Sequence, residues 1–315
     1  MRIRPQALTI AIASAAIVAG GVILRARPAH ASAQEKQQVI RSETSLVDVL
    51  ASVSDAHGKP VLDLKQDAFL LNEDGVPQKI ERFEPETNRP LDLALMIDSS
   101  ASTLIDLKFE TEAAAHFIRQ VVRPGDRLAV FQFDETVFEL ADFSDDVPKL
   151  QSAARKVAPG SGTSMYDAIA LGANALRHRG AERRRAIVLV TDAGETTSVT
   201  KFDEARHAAI ASDALLYSIV IRSIKSESGR NTAGEHALIT ITDDTGGDFF
   251  ILDSVNQIEA MFDQIDRELR TQYLLGYYPQ PTPPPGSYRH IELKVNTGDT
   301  VKYRKAYFAV GELPR

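Results

Sequence analysis

The chain has 315 residues, 43% hydrophobic and 25% charged, with 18 Gly and 15 Pro, which is enough for a sizeable core in one large domain or two ordinary ones. It contains no cysteine, which excludes a disulfide framework, a thiolate metal site and a cysteine nucleophile. Its formal charge of −7, from 36 Lys and Arg against 43 Asp and Glu, argues against nucleic acid as a partner, because phosphates need a basic footprint.

Residues 1–33 differ from everything after them. Arg2 and Arg4 precede the uncharged run Ala7–Leu24, and Arg25 and Arg27 lead to the small-residue sites Ala29-His30-Ala31 and Ala31-Ser32-Ala33. A basic start, an apolar middle and an A-x-A end form the pattern of a secretory signal peptide. The apolar run is also nearly long enough to span a bilayer, so an uncleaved signal-anchor is the second reading. Either way the chain is expected to be exported, periplasmic or secreted, with membrane contact only through residues 7–24. Removing the leader leaves 32 Lys and Arg against the same 43 acids, a charge of −11.

Residues 34–88 read as a β segment. Ser45–Val53 is strand-like, and Ala68–Leu71 and Lys79–Phe83 flank Asn72-Glu73-Asp74-Gly75, the signal of a hairpin. Over 89–271 the rhythm becomes strand–helix alternation. Leu91–Ile97, Leu128–Phe133, Ala186–Val190, Leu215–Ile221 and Asp248–Leu252 are short apolar runs, and Val137–Phe143 returns beside the second. Helical spacing covers Leu104–Val122, Tyr166–Arg179, Phe202–Asp213, Glu235–Thr242 and Val255–Arg270. This alternation predicts an α/β fold, with a mostly parallel central sheet and helices on both faces. Residues 272–315 return to β character: Gln272–Tyr278, a proline-rich connector at 279–286, then Tyr288–Val295 and Val301–Ala309 around the turn Asn296–Asp299. The two β segments are expected to pack together as one small module, since a lone hairpin is marginal.

Ligands of open α/β sheets bind at the carboxyl ends of the strands. Three loops fall there: Asp98-Ser99-Ser100-Ala101-Ser102, Gly160-Ser161-Gly162-Thr163 and Thr191-Asp192. Singly, each reads as a helix cap or turn. Together they offer two carboxylates and a set of hydroxyls without His or Cys, hard oxygens suited to Mg²⁺, Mn²⁺ or Ca²⁺ rather than zinc. So few protein oxygens leave positions for water or an incoming anionic ligand.

With these motifs, residues about 91–270 resemble a von Willebrand factor type A domain, and the exported context and the Leu274-Leu275-Gly276-Tyr277-Tyr278-Pro279 stretch resemble a bacterial group of exported proteins related to it. The resemblance implies a Rossmann-like fold and a metal-ion-dependent adhesion site formed by Asp98, Ser100, Ser102, Thr163 and Asp192. It further implies Mg²⁺ bound there (Mn²⁺ or Ca²⁺ as alternatives), receiving an Asp or Glu carboxylate from a protein partner. Ala193 departs from the family, which usually has Gly after the Asp.

Enzyme motifs do not assemble. A haloacid-dehalogenase-like phosphatase needs a second Asp where this chain has Ser100, no Lys follows the Gly160 loop as in a nucleotide P-loop, and there is no G-x-S-x-G elbow. His116, His178 and His207 read as surface or packing residues. Arg183-Arg184-Arg185 reads as a solvated approach to a buried strand, and Asp243-Asp244 as a helix end with a second cation site as a minor alternative. The expectation is a non-enzymatic binding module. An exported metal-dependent hydrolase using the same oxygens, or an envelope scaffold, are the alternatives.

Overall fold

The structure, a computed structural model, describes residues 46–85, 88–103, 106–180, 182–222 and 231–309. The leader at 1–33 lies outside these residues. Among the described residues no helix is long and apolar enough to cross a membrane.

In chain order the elements are β1 (Val47–Ser54), β2 (Phe69–Glu73), β3 (Val76–Pro77), β4 (Ile80–Glu84), β5 (Leu91–Asp98), α1 (Leu107–Val121), β6 (Arg127–Phe133), β7 (Val137–Ser144), α2 (Val147–Ala154) and α3 (Met165–Arg177). They continue with β8 (Arg184–Thr191), α4 (Phe202–Ala211), β9 (Ala214–Ile221), α5 (Thr232–Thr245), β10 (Phe249–Leu252), α6 (Ile258–Arg270), β11 (Tyr273–Tyr277), β12 (Tyr288–Val295), β13 (Thr300–Tyr303) and β14 (Ala306–Phe308). The fold is α/β, as the alternation predicts. Its central sheet runs β10-β9-β8-β5-β6-β7, parallel except for β7, which returns antiparallel to β6.

Strand alternation explains why both faces are covered. On β5, Leu91, Leu93, Leu95 and Ile97 enter one apolar cluster with α1, α2 and α6, while Ala94 and Met96 enter another with α3, α4 and α5. Phe117 of α1 stacks on Phe262 of α6 with ring centroids 4.5 Å apart, a contact contributing about 0.5–1.5 kcal/mol beyond its buried area.

The remaining strands form two four-stranded sheets, β13-β1-β11-β4 and β14-β12-β2-β3, which share a third apolar cluster. Strands from before and after the central sheet pair within each: β1 with β11 and β13, β2 with β12. Between them sits the fully buried Glu73, which accepts hydrogen bonds from Tyr277 (2.6 Å), Tyr307 (2.9 Å) and Arg289 (2.8 Å).

Several expectations need correction. The hairpin at Asp74-Gly75 is only two pairs long, and its expected second strand, 79–83, lies at 80–84 as β4, crosses to the other sheet and pairs with β11. Asp74 and Gly75 do turn with φ of 47° and 78°, but Pro77 has no N–H to extend the ladder, and Ile80 joins the shared cluster instead. The expected strand 301–309 is likewise split: β13 pairs with β1 and β14 with β12. The break at Arg304-Lys305 is where this segment touches the central domain, with Lys305 N–H donating to the Asp244 carbonyl (2.8 Å). Helix α2, not anticipated, starts at an Asp146 cap that accepts from Lys149 N–H (3.1 Å) and has Pro in its first turn. Helix α5 extends well beyond 235–242. Arg183-Arg184-Arg185 is not a solvated approach to the strand: Arg184 and Arg185 are the first two residues of β8 and are 5% and 8% exposed. Asp244 and Asp243 are ion-paired with Arg206 and Lys305, which removes the basis for a second cation site.

Candidate metal centre

Asp98 is the last residue of β5, and Asp192 directly follows β8. Because β5 and β8 are neighbours in the sheet, paired through Ile97 and Val190, the two carboxylates emerge side by side. Thr163 arrives from the loop before α3.

Backbone and side-chain bonds tie the three loops to one another. Gly160 N–H donates to the Ser99 carbonyl (2.8 Å), joining the second loop to the first. Thr191 Oγ1 donates to Asp98 Oδ2 (2.6 Å), joining the third to the first. Thr163 N–H donates to Thr196 Oγ1 (2.8 Å), and Thr196 N–H donates back to the Thr163 carbonyl (2.9 Å). Ser100 N–H caps Asp98 Oδ1 (2.9 Å), and Ser100 Oγ lies 3.2 Å from Ser102 Oγ. A Cβ placed on Gly194 would stand 2.9 Å from Asp192 Oδ1 and 3.1 Å from Thr163 Oγ1, so these two oxygens border a space that only glycine leaves open. The five side chains anticipated from sequence are thus held in one loop cluster, with Ser102 at its exposed edge.

Thr191, placed in its loop by the sequence but not among the expected ligands, orients Asp98 through its hydroxyl. Two further residues of the cluster were not anticipated. Asn231, just before α5, donates to the Asp192 carbonyl (3.3 Å). Glu110, in the first turn of α1, is 2% exposed, and its Oε2 is buried without a hydrogen-bond partner. The available signal for Glu110 was a carboxylate on the apolar side of a helix, one turn after the D-x-S-x-S loop.

The electrostatics reflect crowded anions. Burial pushes the Asp98 carboxyl up to about 6, against hydrogen bonds from Thr191 and Ser100, with Asp192 adding repulsion. Burial also raises Glu110 to about 8, reinforced by the charges of Asp98, Asp106 and Asp192. Among the described residues Asp98, Glu110 and Asp192 form no ion pair with Lys, Arg or His, and no three acidic or His side chains converge tightly enough to hold a metal by themselves. A cation here would therefore draw on the hydroxyls of Ser100, Ser102 and Thr163 as well as on two carboxylates. The oxygen-only donor set, the space at Gly194 and the orphaned Glu110 oxygen all fit a hard divalent ion.

Ala193 sits at φ 64°, the left-handed region, which a residue with a Cβ seldom adopts. Its carbonyl packs so tightly on Gly234 of α5 that a Cβ at 234 would overlap the oxygen.

Residues 93–195 match the family model of the von Willebrand factor type A domain. No curated protein matches the chain in sequence. Among solved structures, the chain is similar to a von Willebrand factor type A protein from Catenulispora acidiphila (12% identity, TM-score 0.49, covering 87% of this chain and 76% of that one). It is also similar to the vWF domain of the type V pili tip protein Mfa5 from Porphyromonas gingivalis (14% identity, TM-score 0.47, 58% and 96% covered). A third is the conserved hypothetical protein BatB from Bacteroides thetaiotaomicron (14% identity, TM-score 0.44, 57% and 98% covered). The segment 93–195, which matches that family model, contains all five oxygen-bearing side chains of the site.

Proposed function

We propose that this exported chain is a protein-binding module whose domain holds a divalent cation, Mg²⁺ in the first instance, through Asp98, Ser100, Ser102, Thr163 and Asp192, and uses it to engage an Asp or Glu carboxylate of a partner protein. The observation that carries this reading is the group of buried carboxyls Asp98, Glu110 and Asp192 at the carboxyl end of the sheet, for which no described side chain supplies a counter-charge. A bound cation would supply that positive charge and an open position for an anionic oxygen.

The chain's own residues do the rest. Thr191 and Ser100 fix the Asp98 carboxylate by hydrogen bonds to both oxygens. Gly194 keeps the approach to Thr163 and Asp192 clear. The exposed Ser102 places the site at the surface, where a partner can reach it. Isothermal calorimetry on the purified chain tests the assignment. Wild type should take up Mg²⁺ and an Asp98→Ala, Asp192→Ala double variant should not; equal uptake by the two would overturn the site. Turnover of a phosphate or peptide ester panel that disappears in Asp98→Ala would replace the binding reading with a hydrolase.

A further inference from the structure

At the opposite end of the central sheet from the metal centre, a cavity of about 310 Å³ lies between the start of β8 and β9, helix α4, and the strands β1, β11 and β14. Its size is within the range of small-molecule sites. Leu50, Ile210, Leu215, Leu274 and Phe308 contribute much of a mainly apolar lining. The polar part is dominated by arginine: five arginines line it against three aspartates, in a chain whose overall charge is −7.

Each of the three aspartates already has its own arginine. Asp48 pairs with Arg89 (2.8 Å), Asp244 with Arg206 (2.6 Å) and Asp213 with Arg304. Arg183 pairs with the fully buried Asp92 (2.7 Å). Arg184 and Arg185 have no carboxylate partner among the described residues, although both are nearly completely buried. Arg185 donates only to the carbonyls of Ser212 (2.8 Å), Arg179 (2.9 Å) and Gly180 (3.3 Å), and its Nε has no acceptor. Arg184 donates to the carbonyls of Arg89 and Leu269 and to the Gln272 side chain. Burial and the neighbouring Arg270 lower Arg184 to about 10, the mark of a cation short of counter-charge. A guanidinium stays charged when buried, and a buried charge without a partner is costly.

We infer that this cavity binds a small amphipathic monocarboxylate, its apolar chain against α4 and the flanking β strands and its carboxylate on the arginine-lined wall. Inorganic phosphate would waste the apolar walls, and a neutral apolar molecule would leave the guanidinium groups unanswered. At a water-like share of about 30 Å³ per non-hydrogen atom the cavity takes about ten such atoms, the size of octanoate.

Sodium octanoate is the probe, titrated into the full chain by calorimetry and thermal shift, with octanamide as the neutral isostere. Octanoate should bind with a Kd below about 1 mM and at least about tenfold more tightly than octanamide, the margin of a charge-assisted hydrogen bond. Arg185→Gln should abolish that preference. Ala214→Leu, which fills the cavity and leaves the arginines intact, should abolish binding of both and covers the case in which Arg185→Gln does not fold. Absence of octanoate binding, equal affinity for the two probes, or binding undiminished in folded Ala214→Leu would each overturn the inference. Mg²⁺ uptake in the same variants should be unchanged, which separates this cavity from the metal centre.

Discussion

Glu110 carries an ionisable group that has lost its water without gaining a partner, and this makes the pH dependence of the metal-free chain calculable in sign. Its folded pKa of about 8 lies above its usual 4.5, and that of Asp98, about 6, lies above 3.8. An acid raised in this way holds its proton more tightly when folded. Its stabilising contribution is complete below the unfolded value and is lost as pH rises through the folded one. Metal-free protein should therefore lose stability between pH 4.5 and about 8, by on the order of a few kcal/mol. Urea unfolding across that range should show the decline, and Glu110→Gln should leave only the Asp98 part, finished near pH 6, and make the variant more stable than wild type above pH 8. A parallel decline in both proteins would remove Glu110 as the cause. A steric prediction concerns Gly234, where any Cβ meets the Ala193 carbonyl. Gly234→Ala should cost about 1–3 kcal/mol, as overpacking of a tight contact does, and should loosen the Asp192 loop. Chemical denaturation together with Mg²⁺ titration measures both effects.

At the scale of elements, the joint between α5 and β13 depends on one residue. Gly246 ends α5 at φ 84°, and its missing side chain lets the Tyr303–Arg304 backbone lie directly against it. A left-handed non-Gly residue alone costs roughly 1–2 kcal/mol. Gly246→Ala should exceed that, because Tyr303 must also move away. Thermal unfolding measures the loss, and a cost within the left-handed penalty would show that the approach is not tight. The element-level errors of the sequence reading have the same origin. Hydrophobic period could place a strand at 79–83 and another at 301–309, since the alternation is local. It could not say which neighbour each would pair with, because a strand has two edges and its partner is chosen by the cluster it must fill. Helix α2 escaped notice because its inward apolar positions are few, Leu150, Ala153 and Ala154.

For the whole molecule, the seam between the central domain and the flanking sheets is polar and bonded at several points. Lys302 pairs with Asp248 (2.5 Å) and Glu268 (3.3 Å), Arg304 with Asp213, and Lys305 binds both Asp243 and the Asp244 carbonyl. The described residues all belong to one compact unit. Calorimetry should accordingly give one cooperative transition, with Glu73→Ala in the flanking sheets lowering the melting temperature of the whole chain; two resolved transitions would show independent parts.

By itself the sequence determined the fold class and the three oxygen-bearing loops, because both are local patterns that survive without coordinates, and the family resemblance of those loops implied Asp98, Ser100, Ser102, Thr163 and Asp192 among their oxygens. Only tertiary structure decided that Glu110 faces the same charges, that Arg184 and Arg185 are buried rather than solvated, and that β4, β13 and β14 distribute themselves over two sheets. Those facts depend on which surfaces meet over long sequence separations. Burial, more than residue type, sets whether a carboxylate or guanidinium is solvated surface or a charge in need of a partner.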